Sequence, residues 1–237
     1  FRRPHHDFSP APLATAVPLR AFHAKRERLP DPLPTGPGEG VMAAMSATPL
    51  GAGSTAGAET FFHELWRFPP MFTIQRNIDV RERQLGVWAE IILAYHRARR
   101  EYVLDVAGGG APYFANVAID RSLSKQDIET VLGHLVETGH GEWLDEPGRS
   151  QFLVMWDTAQ EVSNDIYAWA QDTGKVGEVY TVYDIHSEDD SAGYGFHGAH
   201  PRAIVKALAK LQEGGKAKIY RDDGKAVDEW GVKFLPL

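Results

Sequence analysis

Between Asp79 and Tyr95 the apolar positions recur at helical spacing. Leu85, Trp88, Ile91, Ile92 and Tyr95 fall at i, i+3, i+6, i+7 and i+10, so they share one face. Asp79 and Glu82 precede that stripe at the spacing of a capping box, which puts the helix start there. A β-prone stretch from Glu101 to Val106 and the loop Gly108-Gly109-Gly110 follow. Ser124, with Asp127 three residues on, opens a second helix bearing Ile128, Val131, Leu132 and Leu135 and stopped by Gly139. Glu142-Trp143-Leu144, the turn residues Glu146 to Arg149 and the alternation from Gln151 to Trp156 then read as a β-hairpin.

The same order returns. Thr158 and Glu161 open a helix with Val162, Ile166 and Trp169 that ends near Gly174, and Thr181 starts a shorter segment through Ile185. Pro201 starts a helix with Ile204, Val205, Leu208 and Leu211, ended by Gly214-Gly215. Ala217 to Tyr220, the turn Asp222-Asp223-Gly224 and Trp230 to Leu235 give a second hairpin. Ile128, Leu132, Leu135, Gly139 and Trp143 map onto Ile204, Leu208, Leu211, Gly215 and Ile219 at a constant offset of 76 residues. Helix periodicity alone accounts for the first three matches; the shared glycine stop and following strand predict a duplicated α/β (α+β) unit. Helices followed by a hairpin predict a winged helix, so the fold class is two tandem winged-helix domains, at 79–156 and 157–237, each of about 80 residues and just able to hold its own core.

The chain before these units differs in kind. Nine of fifteen prolines precede Leu50, and Ala47 to Ala58 is a Gly/Ala/Ser/Thr stretch without periodicity, so residues 1–60 read as a disordered extension. It has no apolar core of a secretory signal, and prolines with Asp7, Glu27 and Asp31 interrupt any transit-type helix. Because the sequence opens on Phe1, a native start upstream or at Met45 is expected. Residues 61–78 contain a proline-aromatic strip, Phe68-Pro69-Pro70-Met71-Phe72.

Composition narrows the chemistry. A 43% hydrophobic fraction with six Trp and eleven Phe fills ordinary cores, and no apolar run approaches the roughly 18 residues of a spanning helix, so a soluble protein is expected. The absence of Cys removes disulfides, thiolate zinc sites and a Cys nucleophile, and fits a reducing cytoplasm. The net charge of −7 is uneven: residues 59–237 carry 19 Lys/Arg against 28 Asp/Glu, a mean field that repels nucleic acid and anionic membranes.

No catalytic motif emerges. His197 and His200 beside Glu188-Asp189-Asp190 form the best metal candidate, but a glycine-containing loop is a poor preformed cage, and a helix-capping His200 is the simpler reading. Gly108-Gly109-Gly110 lacks the Lys-Ser/Thr of a phosphate loop, and Glu161 and Asp165 read as a solvated acidic face. No cofactor is expected. Winged helices often bind DNA, and the helix that would enter the groove is acidic in the first unit but carries Arg202, Lys206 and Lys210 in the second. Three cations fall short of the six or more phosphate contacts that tight binding usually needs, so nucleic acid is the runner-up and an acidic protein partner is preferred.

Pro69-Pro70 should preset an extended polyproline conformation, lowering the entropy cost of seating Phe68 and Phe72 in a partner's groove. Folding back of both aromatics onto the first domain is the alternative. The string from Phe68 through Thr73, Gln75 and Asn77, then Arg81, Gln84-Leu85 and Trp88, resembles the vacuolar protein sorting-associated protein 25 family, subunits of ESCRT-II. Glu142 to Asp145, Phe152 to Trp156, Tyr167-Ala-Trp169, Thr181-Val-Tyr183, Phe196-His197-Gly198 and Gly231 to Phe234 extend the resemblance from about Trp66 to Phe234. It implies a non-catalytic subunit, two copies per complex, docking on the protein sorting 22 and 36 subunits through Phe68, Pro69, Pro70 and Phe72, where the family has a Pro-Pro-x-Tyr/Phe strip. It further implies that the second winged helix recruits the ESCRT-III subunit protein sorting 20, for which Arg202, Lys206 and Lys210 are the candidate surface, in a cytoplasmic complex recruited to endosomal membranes that sorts ubiquitinated cargo into multivesicular bodies.

Overall fold

The computed structural model of the protein describes residues 65–108 and 110–236. The 1–60 extension, the Met45 start and the first residues of the 61–78 segment lie outside the described residues. The first long helix, α1 (Ile78–Arg99), begins just before the expected Asp79, because the Asn77 side chain accepts the Val80 amide at 3.2 Å and caps it. After it come β1 (Val103–Asp105), a two-stranded ribbon of β2 (Ala115–Asn116) and β3 (Arg121–Ser122), α2 (Lys125–Glu137), β4 (Gly141–Trp143) and β5 (Gln151–Val154). Ser124 caps α2 through the Asp127 amide.

The second unit runs α3 (Ala159–Asp172), β6 (Val179–Thr181), α4 (Val182–Ser187), α5 (Pro201–Glu213), β7 (Ala217–Tyr220) and β8 (Gly231–Phe234). Thr158 with Glu161 and Thr181 with Asp184 form complete capping boxes on α3 and α4. Where the first unit has the β2–β3 ribbon, the second has α4.

Each unit closes its hairpin on a third strand, giving three-stranded antiparallel sheets in the orders β1-β5-β4 and β6-β8-β7, with the last strand central in both. The 76-residue offset extends beyond the helix: Val103 and Val179 start the edge strands, Lys125 and Pro201 the helices, and Gly141 and Ala217 the hairpins. Gly139 and Gly215 hold the same left-handed turn, φ 79° and 70°, a conformation costly for any residue with a Cβ. The central strands start at Gln151 and Gly231, 80 residues apart, so the second hairpin is longer by four residues, one in β7 and three in the turn.

Two cores result. Trp88, Ile92, Tyr113, Leu132, Leu135 and Phe152 lie in the first; Ile166, Trp169, Ile185, Ile204, Leu208 and Phe234 lie in the second. Inside the first, His96 sits between the Glu101 carbonyl, 2.6 Å from Nδ1, and the Tyr113 hydroxyl, 2.9 Å from Nε2. Since the carbonyl only accepts, Nδ1 donates, and in the neutral ring that burial favours Nε2 accepts from the Tyr113 hydroxyl. His200 caps α5, its Nδ1 accepting from the Arg202 amide at 3.2 Å.

Burial, and for His200 also the nearby Arg202 charge, holds both imidazoles below their ordinary 6.5. The unfolded chain therefore takes up these protons first. Their stabilisation is complete above 6.5 and is lost as pH falls from there toward the folded-state values. His200→Asp keeps a cap, which contributes about 1 kcal/mol, and removes one of these protons. Its thermal midpoint should fall less than wild type's between about pH 7 and 5.5; an identical fall would remove His200 from the acid sensitivity.

Candidate functional site

The proline-aromatic strip is a single 3-10 turn, Pro69–Phe72, rather than the extended polyproline form. Proline fixes φ but leaves ψ to its surroundings, and here the surroundings are α1. Gln84, a buried side chain, donates from Nε2 toward the carbonyls of Pro70 (3.2 Å), Met71 (3.1 Å) and Thr73 (3.0 Å), while its Oε1 accepts the Gln75 amide at 3.0 Å. Trp88 Nε1 adds a bond to the Met71 carbonyl at 3.1 Å. Gln75 Nε2 closes the outside of the turn on the carbonyls of Pro70 and Thr73. These donors converge on the inner carbonyls, so the turn is ordered before any partner arrives.

The turn divides the expected contact residues. Phe72 is only 3% exposed and packs edge-on between Trp66, 5.4 Å away, and Trp88, 5.7 Å away, with Phe114 next in line. In the chain alone it therefore packs as a core side chain, which is what the folding-back alternative expects of this ring. Two tryptophans offer it more apolar area than solvent can, and a 3-10 turn sends residues 68 and 72 to different sides. Phe68 is 53% exposed and stands beside exposed Pro69 and Pro70. Trp66 is tied in as well, its carbonyl accepting from buried Asn116 at 2.7 Å. Trp66, Met71 and Phe72 thus belong to the first core, while Phe68, Pro69 and Pro70 stand outside it.

The basic helix is also engaged. Lys206 on α5 lies 2.7 Å from Glu142 on β4, and Arg202 lies 4.0 Å from the same carboxylate, while Lys210 pairs with Glu213 of its own helix. Beneath these pairs Leu153, Met155 and Ala203 form a small buried cluster flanked by Tyr102 and Leu144. Arg97 pairs with Asp157 across the same joint, and Tyr102 stacks on Trp156 at 4.1 Å. A small void of about 20 Å³ lies there, lined mostly by apolar side chains such as Met155, Phe196 and Ala203. Arg202 and Lys206 hence face the first unit instead of forming the open cationic face expected of α5. A groove-reading helix would need that face free, so the nucleic-acid reading loses its main support.

The remaining candidates have local partners. Glu188 and Asp190 pair with Lys175 at 3.3 and 2.7 Å, His197 bonds Ser191, and His200 caps α5. Among the described residues no group of three His, Asp or Glu side chains is arranged to hold a metal ion. The Glu161 carboxyl accepts from the Thr158 amide and hydroxyl, which holds it below the ordinary range, and Asp165 is pushed up by burial. No helix of the described residues is long and apolar enough to cross a membrane. Gln84 and Glu142 enter the sequence reading only as landmarks of the resemblance; their long-range roles, bonding the turn and pairing with α5, carry no local signal in a helix or a strand.

A sequence model of the ESCRT-II complex subunit family matches residues 65–200. Vacuolar protein-sorting-associated protein 25 of Danio rerio is 40% identical over 172 residues, covering 72% of this chain and 95% of that protein. The Homo sapiens protein of the same name is 36% identical over 172 residues, covering 72% and 94%. The solved structures described as "Crystal structure of subunit VPS25 of the endosomal trafficking complex ESCRT-II" and "The crystal structure of endosomal complex ESCRT-II (VPS22/VPS25/VPS36)" align with TM-scores of 0.59 and 0.58 at 23% and 24% identity. They cover 71% and 70% of this chain and 96% and 95% of the matched chains. Sequence over most of the relatives' length and a shared tandem α/β fold agree, and the chain belongs to the ESCRT-II complex subunit family, among the relatives called vacuolar protein-sorting-associated protein 25.

Proposed function

We propose that this chain is a non-catalytic building block of an ESCRT-II complex, docking on the core subunits that correspond to VPS22 and VPS36 through the exposed half of its strip. The observation that carries this reading is the presentation of Phe68, Pro69 and Pro70 on a turn already held by Gln84 and Trp88. An exposed large aromatic is of the kind enriched in interface cores, and a pre-ordered turn loses little entropy on binding. Phe72 supports the presentation from inside.

Recruitment of the ESCRT-III subunit protein sorting 20 belongs to the second unit in this reading. Of the three α5 cations, Lys210 is the one whose partner lies within its own helix, while Arg202 and Lys206 serve the joint. The complex would work in the cytoplasm and reach endosomal membranes through its partners, sorting ubiquitinated cargo.

Mixing the purified chain with the two core subunits and measuring the mass of the product by light scattering tests the reading. Two copies of this chain per complex are expected, and a failure to form any complex contradicts it.

A further inference from the structure

Four hydroxyl side chains have an acid three positions further on, Ser124, Thr158, Thr181 and Ser187, the spacing at which an acidophilic kinase reads its substrate. Three of them use that acid to start a helix. Ser124 Oγ bonds the Asp127 carboxylate at 2.8 Å and Thr158 Oγ1 bonds the Glu161 carboxylate at 2.8 Å, while Thr181 and Asp184 close the capping box of α4. Hydroxyl and acid face each other at these caps, and neither is offered to a second protein.

Ser187 differs in place and in partners. It is the last residue of α4, partly exposed, and Glu188, Asp189 and Asp190 follow it directly. None of these acids is bonded to its hydroxyl: Glu188 and Asp190 share Lys175, at 3.3 and 2.7 Å, and Asp189 is exposed. One lysine thus serves two of three consecutive acids, and the segment keeps the negative charge that a cationic kinase groove selects. From Glu188 to His200 the chain has no helix or strand besides the 3-10 turn Asp189–Ser191, which is closed by local bonds from the Ser191 amide to the Glu188 carbonyl and from the Ala192 amide to the Asp189 carbonyl. Opening these bonds extends the segment without disturbing either sheet.

The hydroxyl also has a receiver beside it. Buried His186 stands with Nδ1 2.9 Å from Ser187 Oγ and Nε2 3.0 Å from Asp228 Oδ1, on the 3-10 turn Val227–Glu229 ahead of β8, and the Tyr183 ring lies edge-on at 5.8 Å. The Asp228 carboxylate only accepts, so Nε2 donates, and in the neutral ring Nδ1 accepts from the Ser187 hydroxyl. We propose that Ser187 is a phosphorylation site for an acidophilic serine kinase, with His186 holding the phosphate. In that step the γ-phosphorus of ATP bonds to Ser187 Oγ, its bond to the bridging oxygen breaks, ADP leaves with that oxygen, and the hydroxyl proton passes to the kinase's base. The phosphate oxygens only accept, so both ring nitrogens then donate. The imidazolium bridges the phosphate and Asp228 and ties the end of α4 to the segment that enters β8. The inference does not depend on the docking strip.

The full chain, isotope-labelled at histidine, is incubated with ATP and an acidophilic kinase of the casein kinase II class, then read by fragment mass spectrometry and by NMR of the ring nitrogens. One phosphate per chain is expected, on Ser187, entering about tenfold or more faster than at Ser124, Thr158 or Thr181. Ser187→Ala should abolish that product, and Asp190→Asn, which leaves Glu188 on Lys175, should slow it severalfold. If Asp190→Asn disturbs the turn, Asp189→Asn, at an exposed side chain, should still slow it. On modification the His186 ring should move toward the doubly protonated pattern. The inference is overturned if no phosphate enters, if the capped hydroxyls react as fast as Ser187, if the acid variants leave the rate unchanged, or if the His186 ring does not respond to the modification.

Discussion

Replacing Phe72 by alanine is expected to cost about 3–5 kcal/mol of stability, the usual range for deleting a fully packed aromatic from a core. The ring lies between Trp66 and Trp88, and its loss leaves a cavity bounded by two indoles that the short turn cannot collapse to fill. Denaturant unfolding followed by tryptophan fluorescence reads this directly, because both indoles report on the first core. Phe68→Ala, at a half-exposed ring outside that core, should leave the midpoint nearly unchanged. A Phe72→Ala protein as stable as wild type would mean that the ring is not anchored as described.

The second large effect is on docking. Phe68→Ala with Pro70→Ala removes the exposed aromatic and one of the prolines that restrict the turn. Both positions are open, so the fold should persist. If the two side chains are hot spots, the loss is about 2 kcal/mol or more, roughly thirtyfold in affinity. Their contribution exceeds that of a flexible peptide because Gln84 and Trp88 order the inner carbonyls in the free chain. The separation of the two phenylalanines is the useful point: one should change stability without being a contact, and the other should change assembly without being a support.

Periodicity made the helices legible, and caps made several boundaries so. Ser124, Thr158 and Pro201 mark helix starts where the structure has them, and the Gly139 and Gly215 stops carry the left-handed turns that make glycine the natural residue. The offset of 76 residues, found in one helix and its following strand, extends to the edge strands of both sheets. The β2–β3 ribbon was missed because two-residue strands carry no alternation. Asn77 was passed over in favour of Asp79 because both are good caps, and the choice depends on backbone geometry.

The site was harder to read than the fold. Phe68 and Phe72 look equivalent in sequence, and only the turn sends one out and the other in. The pattern Pro-Pro reads as extended, yet the carbonyls of residues 70, 71 and 73 bend toward one glutamine eleven to fourteen positions away. The basic stripe of α5 likewise looked free because its acid, Glu142, lies sixty positions away and more in the other unit. Long-range pairing of this kind leaves no local signature in a single sequence.

Calorimetric titration of the chain into the preassembled pair of core subunits corresponding to VPS22 and VPS36 tests the central claim most directly. Wild type and Phe68→Ala/Pro70→Ala are compared after their thermal midpoints are matched. The account predicts affinity weaker by about thirtyfold or more in the variant with stability unchanged. Equal affinity for the two proteins would contradict it.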